Sequence, residues 1–161
     1  MALRDIIFDD DPLLRKKSRA VEKFDDKLHT LLDDMLETMI KHDGAGIAAS
    51  QVGILRRAAI IRTEEEEILE LINPEIISSE GEQICSEGCL SVKNRRHNVL
   101  RPQKIILKAY DRNGKEYIRE FENFNADVAC HEVDHLDGIL FYDRMAPDDE
   151  AKDSTPDKED L

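Results

Sequence analysis

The 161-residue sequence has no apolar run approaching the roughly 20 residues that cross a bilayer, so no membrane-spanning helix is expected. Its opening residues, Met1-Ala2-Leu3-Arg4-Asp5, lack the apolar centre of a signal peptide and meet acidic residues too early for a transit peptide. A cytoplasmic location is the expectation, with an organellar enzyme stripped of its leader as the alternative. Positive charge is in deficit as well: the formal net charge is −13, which argues against nucleic-acid binding by bulk electrostatics. The three cysteines, Cys85, Cys89 and Cys130, are an odd set without an export signal, so they do not read as a disulfide framework. Internal repeats and interdomain linkers are absent. One compact domain follows, and 40% hydrophobic content is enough for its core.

What is present divides into a patterned domain, residues 1–147, and an acidic tail, residues 148–161, expected to be disordered. The run Glu64-Glu65-Glu66-Glu67 reads as a solvated loop. Phe24, Leu28, Leu31, Leu32, Met35, Leu36, Met39 and Ile40 recur at helical spacing, predicting a helix from Phe24 to His42 that stops at Gly44-Ala45-Gly46. Segments with β character follow at Arg57–Thr63, Ile68–Ile72 and Glu82–Cys85, with Asn73-Pro74 breaking the set. Lys104–Asp111 and Lys115–Phe121 flank an Asp-Arg-Asn-Gly turn and predict a hairpin. A second helix is expected over Asn125–Leu136, with Asn125 as its N-cap and Gly138 after its last turn. The order helix, strands, helix indicates an α+β fold.

The second helix carries His131-Glu132-Val133-Asp134-His135, an H-E-x-x-H run. At 3.6 residues per turn its two imidazoles share one helix face and can reach one metal ion. Glu132 points about 100° away from His131. It is therefore the candidate to take a proton from a water and pass it to a leaving group. For Asp134 the reading is an ion pair with Arg101 or a hydrogen bond to a ligand, with a solvent-facing position as the alternative.

Two histidines leave a tetrahedral site incomplete. The Glu-rich helix and the glycine-histidine extension that complete ordinary zinc peptidases are missing after His135, which turns attention to Cys89 in Glu87-Gly88-Cys89-Leu90-Ser91. There a thiolate can approach an ion while the Leu90 N–H stays available as a donor. Cys85 is the rival ligand; both cysteines together would make a closed, structural Cys₂His₂ site. A third segment, Gly44 to Gln51, is small and glycine-rich, and Gln51 offers an amide that can stabilise an oxyanion without titrating. Cys130 reads as a small buried hydrophobe. An internal-bond zinc peptidase and a structural Cys₂His₂ module are the rival readings.

Together these three segments, Gly44–Gln51, Glu87–Ser91 and His131–Gly138, resemble in order the three motifs of the peptide deformylases, over about Ile6 to Met145. The resemblance implies an α+β fold with antiparallel sheets around a central helix carrying the H-E-x-x-H run. It implies removal of the formyl group from the N-terminal methionine of new polypeptides, with release of formate. Cys89, His131 and His135 then correspond to metal ligands and Glu132 to the general base. Gln51 and the Leu90 N–H correspond to oxyanion donors. Gly46, Glu87 and Gly88, with Ala45 beside them, line the peptide groove, and Arg96 lies near the substrate backbone. The implied cofactor is one divalent ion, Fe²⁺ first, with Zn²⁺, Ni²⁺ or Co²⁺ as replacements. The implied partners are N-formylmethionyl peptides and nascent chains, with a possible ribosome contact and a monomeric state. No nucleic-acid or membrane binding is expected. Lys93, where many members have proline, and the small Ala45 depart from the pattern and bear on the groove.

Overall fold

The computed structural model describes residues 2–147 and the two-residue strand Lys152–Asp153. The remainder of the expected acidic tail lies outside the described residues. Helix α1 spans Asp26–Lys41, its start fixed by Asp25, whose carboxylate accepts the Leu28 N–H at 3.1 Å. Seven strands follow before the tail: β1 Gly46–Ala48, β2 Ala58–Arg62, β3 Ile68–Glu80, β4 Gln83–Cys89, β5 Val92–Arg101, β6 Lys104–Tyr110 and β7 Glu116–Glu122. Helix α2 spans Asn123–Leu136, and β8 is Lys152–Asp153. Every ladder is antiparallel. One sheet has the order β1-β2-β3-β6-β7 and the other β4-β5-β8.

Period-two alternation gives the larger sheet two apolar faces. Ile47, Ala58, Ile60 and Ile72 pack against Leu28, Leu32, Met35 and Met39 of α1. Ala48, Ala59, Ile61, Leu71, Ile105, Leu107 and Phe121 pack instead against Ala126, Ala129, Val133 and Leu136 of α2. On the far side of α2 the β4–β5 hairpin contributes Cys89, Val92 and Val99, which cluster with Phe141. Each residue of α2 from Ala126 to Leu136 is buried, so the helix runs between two sheets as the resemblance implied. Met35 and Met39 of α1 are fully buried, and truncating either to alanine would cost about 2–5 kcal/mol.

Three local expectations need correction. Asn73-Pro74 does not end a strand; β3 passes through it with a register shift between Ile72 and Glu75. Asn73 takes a positive φ of 49° there, and its amide holds Val21 through bonds of 2.8 and 3.0 Å. Asn125 is not the N-cap of α2, which begins two residues earlier; its amide instead ties down the acidic turn through the Glu64 N–H and the Glu65 carboxylate. Strand β5 had no counterpart in the sequence reading. The end of α2 does follow it: Gly138 has φ +74°, and a Cβ there would lie 2.4 Å from the Arg15 carbonyl oxygen.

Candidate metal centre

Helix α2 sets His131 and His135 one turn apart, and their Nε2 atoms are 3.2 Å from each other. Cys89, the last residue of β4, brings its Sγ to 3.3 Å from His135 Nε2. The donor atoms of Cys89, His131 and His135 lie within 4.8 Å of one another, and all three residues are buried. Cys85 is not in this group. Burial first, and then the Asp127 charge, push its thiol up to about 12. The closed Cys₂His₂ reading therefore finds no second sulfur at the site.

The donor set fits a divalent ion. One sulfur and two imidazole nitrogens leave a tetrahedral position open, the mark of a catalytic rather than a structural site. Burial pushes the Cys89 thiol up, so a thiolate there calls for a cation beside it. Glu132 adds an independent sign. Its carboxylate is fully buried, neither oxygen has a hydrogen-bond partner among the described residues, and burial pushes the acid up to about 7. Buried carboxylates are normally satisfied. One left open beside three converging donors suits a group that exchanges a proton with water.

Beneath the ligands lies a charge cluster that the sequence reading only touched. Glu87 is fully buried, and its Oε1 is 2.8 Å from His131 Nδ1. A proton on Nδ1 shared with Glu87 leaves the Nε2 lone pair directed at the site. Arg101 forks onto the same carboxylate, Nε to Oε2 at 2.8 Å and Nη2 to Oε1 at 2.9 Å. Burial alone would raise Glu87, but the bonds from Arg101 and His131 outweigh it and hold the group below the usual carboxylate range. Arg101 also donates to Asp134 at 2.7 Å, and Arg144 to Asp134 at 2.6 Å. Asp134 is thus buried and ion-paired, and the solvent-facing alternative is excluded. Asp127 Oδ1 lies 3.7 Å from Arg101 Nε, an ion-pair contact, and accepts no hydrogen bond among the described residues. Burial, with Glu87 next to it, pushes Asp127 up to about 9.

The other predicted residues fall around this centre. Gln51, in the 3-10 turn Ala49–Val52, accepts the Ala48 N–H on Oε1 at 2.9 Å. That bond turns Nε2 towards Ser91 Oγ at 3.1 Å and Cys89 Sγ at 3.6 Å. The Leu90 N–H, in the turn after Cys89, has no backbone acceptor among the described residues. Gly46 lies against Glu132, and Ala45 and Gly88 are buried nearby in sequence. Arg96 donates to the Ser86 carbonyl at 3.1 Å. Glu87 departs from its expected place on the groove wall, because its carboxylate is held by Arg101 and His131. Cys130 is buried on α2, and burial pushes its thiol up to about 12, as for a small core residue. Arg144 and Asp127 were missed. One available signal was the inward alternation of Cys85 and Glu87 on β4, which aims a carboxylate at the ligand helix.

A family model for polypeptide deformylase matches residues 3–151. A peptide deformylase of Caldicellulosiruptor bescii is 54% identical over 145 residues, covering 90% of this chain and 87% of that protein. The crystal structure of the Thermotoga maritima peptide deformylase superposes with a TM-score of 0.88 at 36% identity, over 91% of this chain and 100% of that one. That of Legionella pneumophila gives 0.86 at 41% identity, over 91% and 88%. With three converging donors and an open buried carboxylate at the matched motifs, the chain belongs to the polypeptide deformylase family, metal-dependent hydrolases that remove the N-formyl group from new polypeptides.

Proposed function

We propose that Cys89, His131 and His135 hold one divalent ion and that Glu132, Gln51 and Leu90 carry out deformylation around it. The convergence of those three donors beside the unpartnered Glu132 carboxylate supports this reading more than any other observation. The bound ion supplies Lewis acidity at the formyl oxygen and makes water a competent nucleophile near neutral pH. Glu132 takes the proton from the attacking water and returns it to the departing amine, a role suited to an acid held near 7. Gln51 Nε2 and the Leu90 N–H donate to the oxygen on which charge develops, and neither has to ionise to do so. Glu87, backed by Arg101, holds His131 in the tautomer and direction that ligation needs.

Among the described residues one edge of β1 is unpaired, which supports a path for the peptide. The Arg62 N–H bonds the Ala45 oxygen at 2.7 Å, so antiparallel alternation turns the backbone groups of Gly46 away from β2. An extended peptide can add there as a strand. Cys89 and the oxyanion donors Gln51 and Leu90 stand at or beyond the C-terminal ends of β1 and β4, so the formyl end lies there and the peptide runs back past Gly46 and Ala45. Gly88 and Arg96 belong to the opposite wall.

Fe²⁺ is the proposed native ion because the family resemblance implies it, and Zn²⁺, Ni²⁺ and Co²⁺ also bind a mixed thiolate–imidazole site. Anaerobic purification with metal analysis tests that choice. Residues 1–147 form the proposed catalytic domain, so truncation after Pro147 should leave formate release intact. Ribosome association, a monomeric state and a cytoplasmic location belong to the same reading; ribosome pelleting and sedimentation measure the first two. The decisive assay compares formate release from formyl-methionyl peptides with amine release from blocked internal-bond peptides. Internal cleavage without formate would refute deformylation. Glu132→Ala should keep its metal and lose nearly all turnover; full activity on reconstitution with metal would make Glu132 structural.

A further inference from the structure

The two oxyanion donors sit on loops from different sheets. Gln51 follows β1 of the five-stranded sheet, and Leu90 lies between β4 and β5 of the other. In the structure Gln51 Nε2 bridges the loops directly, through Ser91 Oγ and Cys89 Sγ. That link weakens at the moment of reaction, because the same N–H₂ must turn to the formyl oxygen. A second connection does not depend on the amide. The N-terminal arm lies across both loops: the Ile7 N–H donates to the Gln51 carbonyl at 2.8 Å and the Asp9 N–H to the Ser91 carbonyl at 2.9 Å.

We infer that residues Ile7–Asp9 act as a positioning strap that fixes the spacing of the Gln51 and Leu90 donors, an inference that rests on the deformylase mechanism above. The arm is anchored well enough to do this. On one side the Ala2 N–H donates to Asp34 at 2.8 Å, the Arg4 N–H to Thr38 at 3.0 Å, and the Arg4 guanidinium pairs with Asp34 at 3.0 Å, all on α1. On the other, Tyr142 donates to the Asp9 carboxylate at 3.1 Å, and Asp11 caps the turn Pro12–Arg15 by accepting the Leu13 N–H at 2.9 Å. Between them the Lys93 ammonium stands 4.2 Å over the Phe8 ring. Lys93, which departs from the family pattern at the start of β5, thereby clamps the strap onto the loop that carries Leu90. Backbone donors suit a strap because they hold a distance without titrating or competing for the substrate.

The test is a double-mutant cycle on formate release. Ile7→Pro removes one strap N–H while Ile7→Val keeps it. Ile7→Pro should lower kcat by about tenfold, short of the 10²–10³ seen when an oxyanion donor is deleted outright, with KM and metal content little changed. In a Gln51→Ala background the same change should cost little more, since the strap acts through that donor. Where Ile7→Pro does not fold, Phe8→Ala takes its place in the cycle, because it frees the strap and leaves every backbone donor intact. Folded variants with wild-type kcat, or losses that add fully to that of Gln51→Ala, overturn the strap. A wild-type enzyme that releases no formate overturns the deformylase reading instead, so the two failures are distinguishable.

Discussion

Gly46→Ala is the smallest change that should silence the centre. A Cβ built on Gly46 would lie 2.5 Å from Glu132 Oε2 and 2.9 Å from both Cδ and Cγ of that side chain. Ordinary contact begins near 3.4 Å, so the carboxylate or the strand must give by about 0.9 Å. Glu132 is fully buried and has no solvent to swing into, and β1 is held on one side by β2. The carboxylate is the softer partner and moves. A misplacement of about 1 Å in a reacting group can cost about 10²-fold in rate, so kcat should fall by that order while KM changes little. Overpacking should also lower stability by about 1–3 kcal/mol, measurable in urea titration. Metal content should match the wild type, because the three atoms nearest the added Cβ all belong to Glu132 and none to the three donors. Gly44→Ala is the control: its Cβ would meet Leu90 Cδ1 at 2.9 Å, a leucine methyl that can rotate aside, so the loss should be much smaller. A Gly46→Ala enzyme with kcat within about twofold of wild type would refute the idea that glycine is needed here for the close approach to the base.

Arg101→Met should leave Glu87 and Asp134 short of a buried cation, costing about 3–5 kcal/mol and lowering Tm by roughly 6–20 °C in calorimetry. Unchanged Tm would mean that Arg144 and a shifted proton suffice. Glu87→Gln keeps the shape but loses the charge on His131, and metal affinity should fall by about 10–100-fold in chelator competition; equal affinity would remove Glu87 from ligand support. Asp127 gives a pH signature. Its folded value near 9 lies above the ordinary value of about 4, so the native state keeps a proton that the unfolded chain releases. The stability this contributes is present below about pH 4 and is lost as pH rises towards 9. Asp127→Asn should flatten that decline in urea titrations across the range, and an unaltered slope would refute it.

The parts of the centre that were legible in the sequence are those fixed by local geometry. His131 and His135 had to share a face once their segment was read as a helix, and α1 declared itself through Leu28, Leu32, Met35 and Met39. Cys89 and Gln51 were legible as chemistry, because residue type and the small neighbours of each loop point to a ligand and a donor. The support beneath them was not. The pairing of Asp134 with Arg101 was the exception, anticipated from a carboxylate on a buried helix, whereas the grip of Arg101 on Glu87, across 14 residues, is one that no periodicity spans. Strand β5 was hidden for a related reason: Val92-Lys93-Asn94-Arg95-Arg96 is mostly polar, and only pairing with β4 makes a strand of it. Asn73-Pro74 shows the converse error. A local break signal became a bulge because β6 pairs with β3 on both sides of it.

Two glutamates of similar intrinsic acidity, both fully buried and both close to His131, are driven apart by what surrounds them. Glu87 meets a guanidinium fork and an imidazole N–H, and stays ionised through the working range. Glu132 meets no donor among the described residues, and desolvation lifts it towards neutrality. The proposed division of labour follows from that difference. A permanently charged carboxylate can orient a ligand but exchanges no proton near neutral pH, whereas one held near 7 can take a proton and return it within a single turnover. Neither role can be read from the residue type. Exchanging the two environments, by giving Glu132 a hydrogen-bonded guanidinium fork or removing Arg101 from Glu87, would on the proposed mechanism remove the function of each while leaving both glutamates in place. On the proposed mechanism the centre therefore depends on Arg101 as well as on the residues that face the substrate.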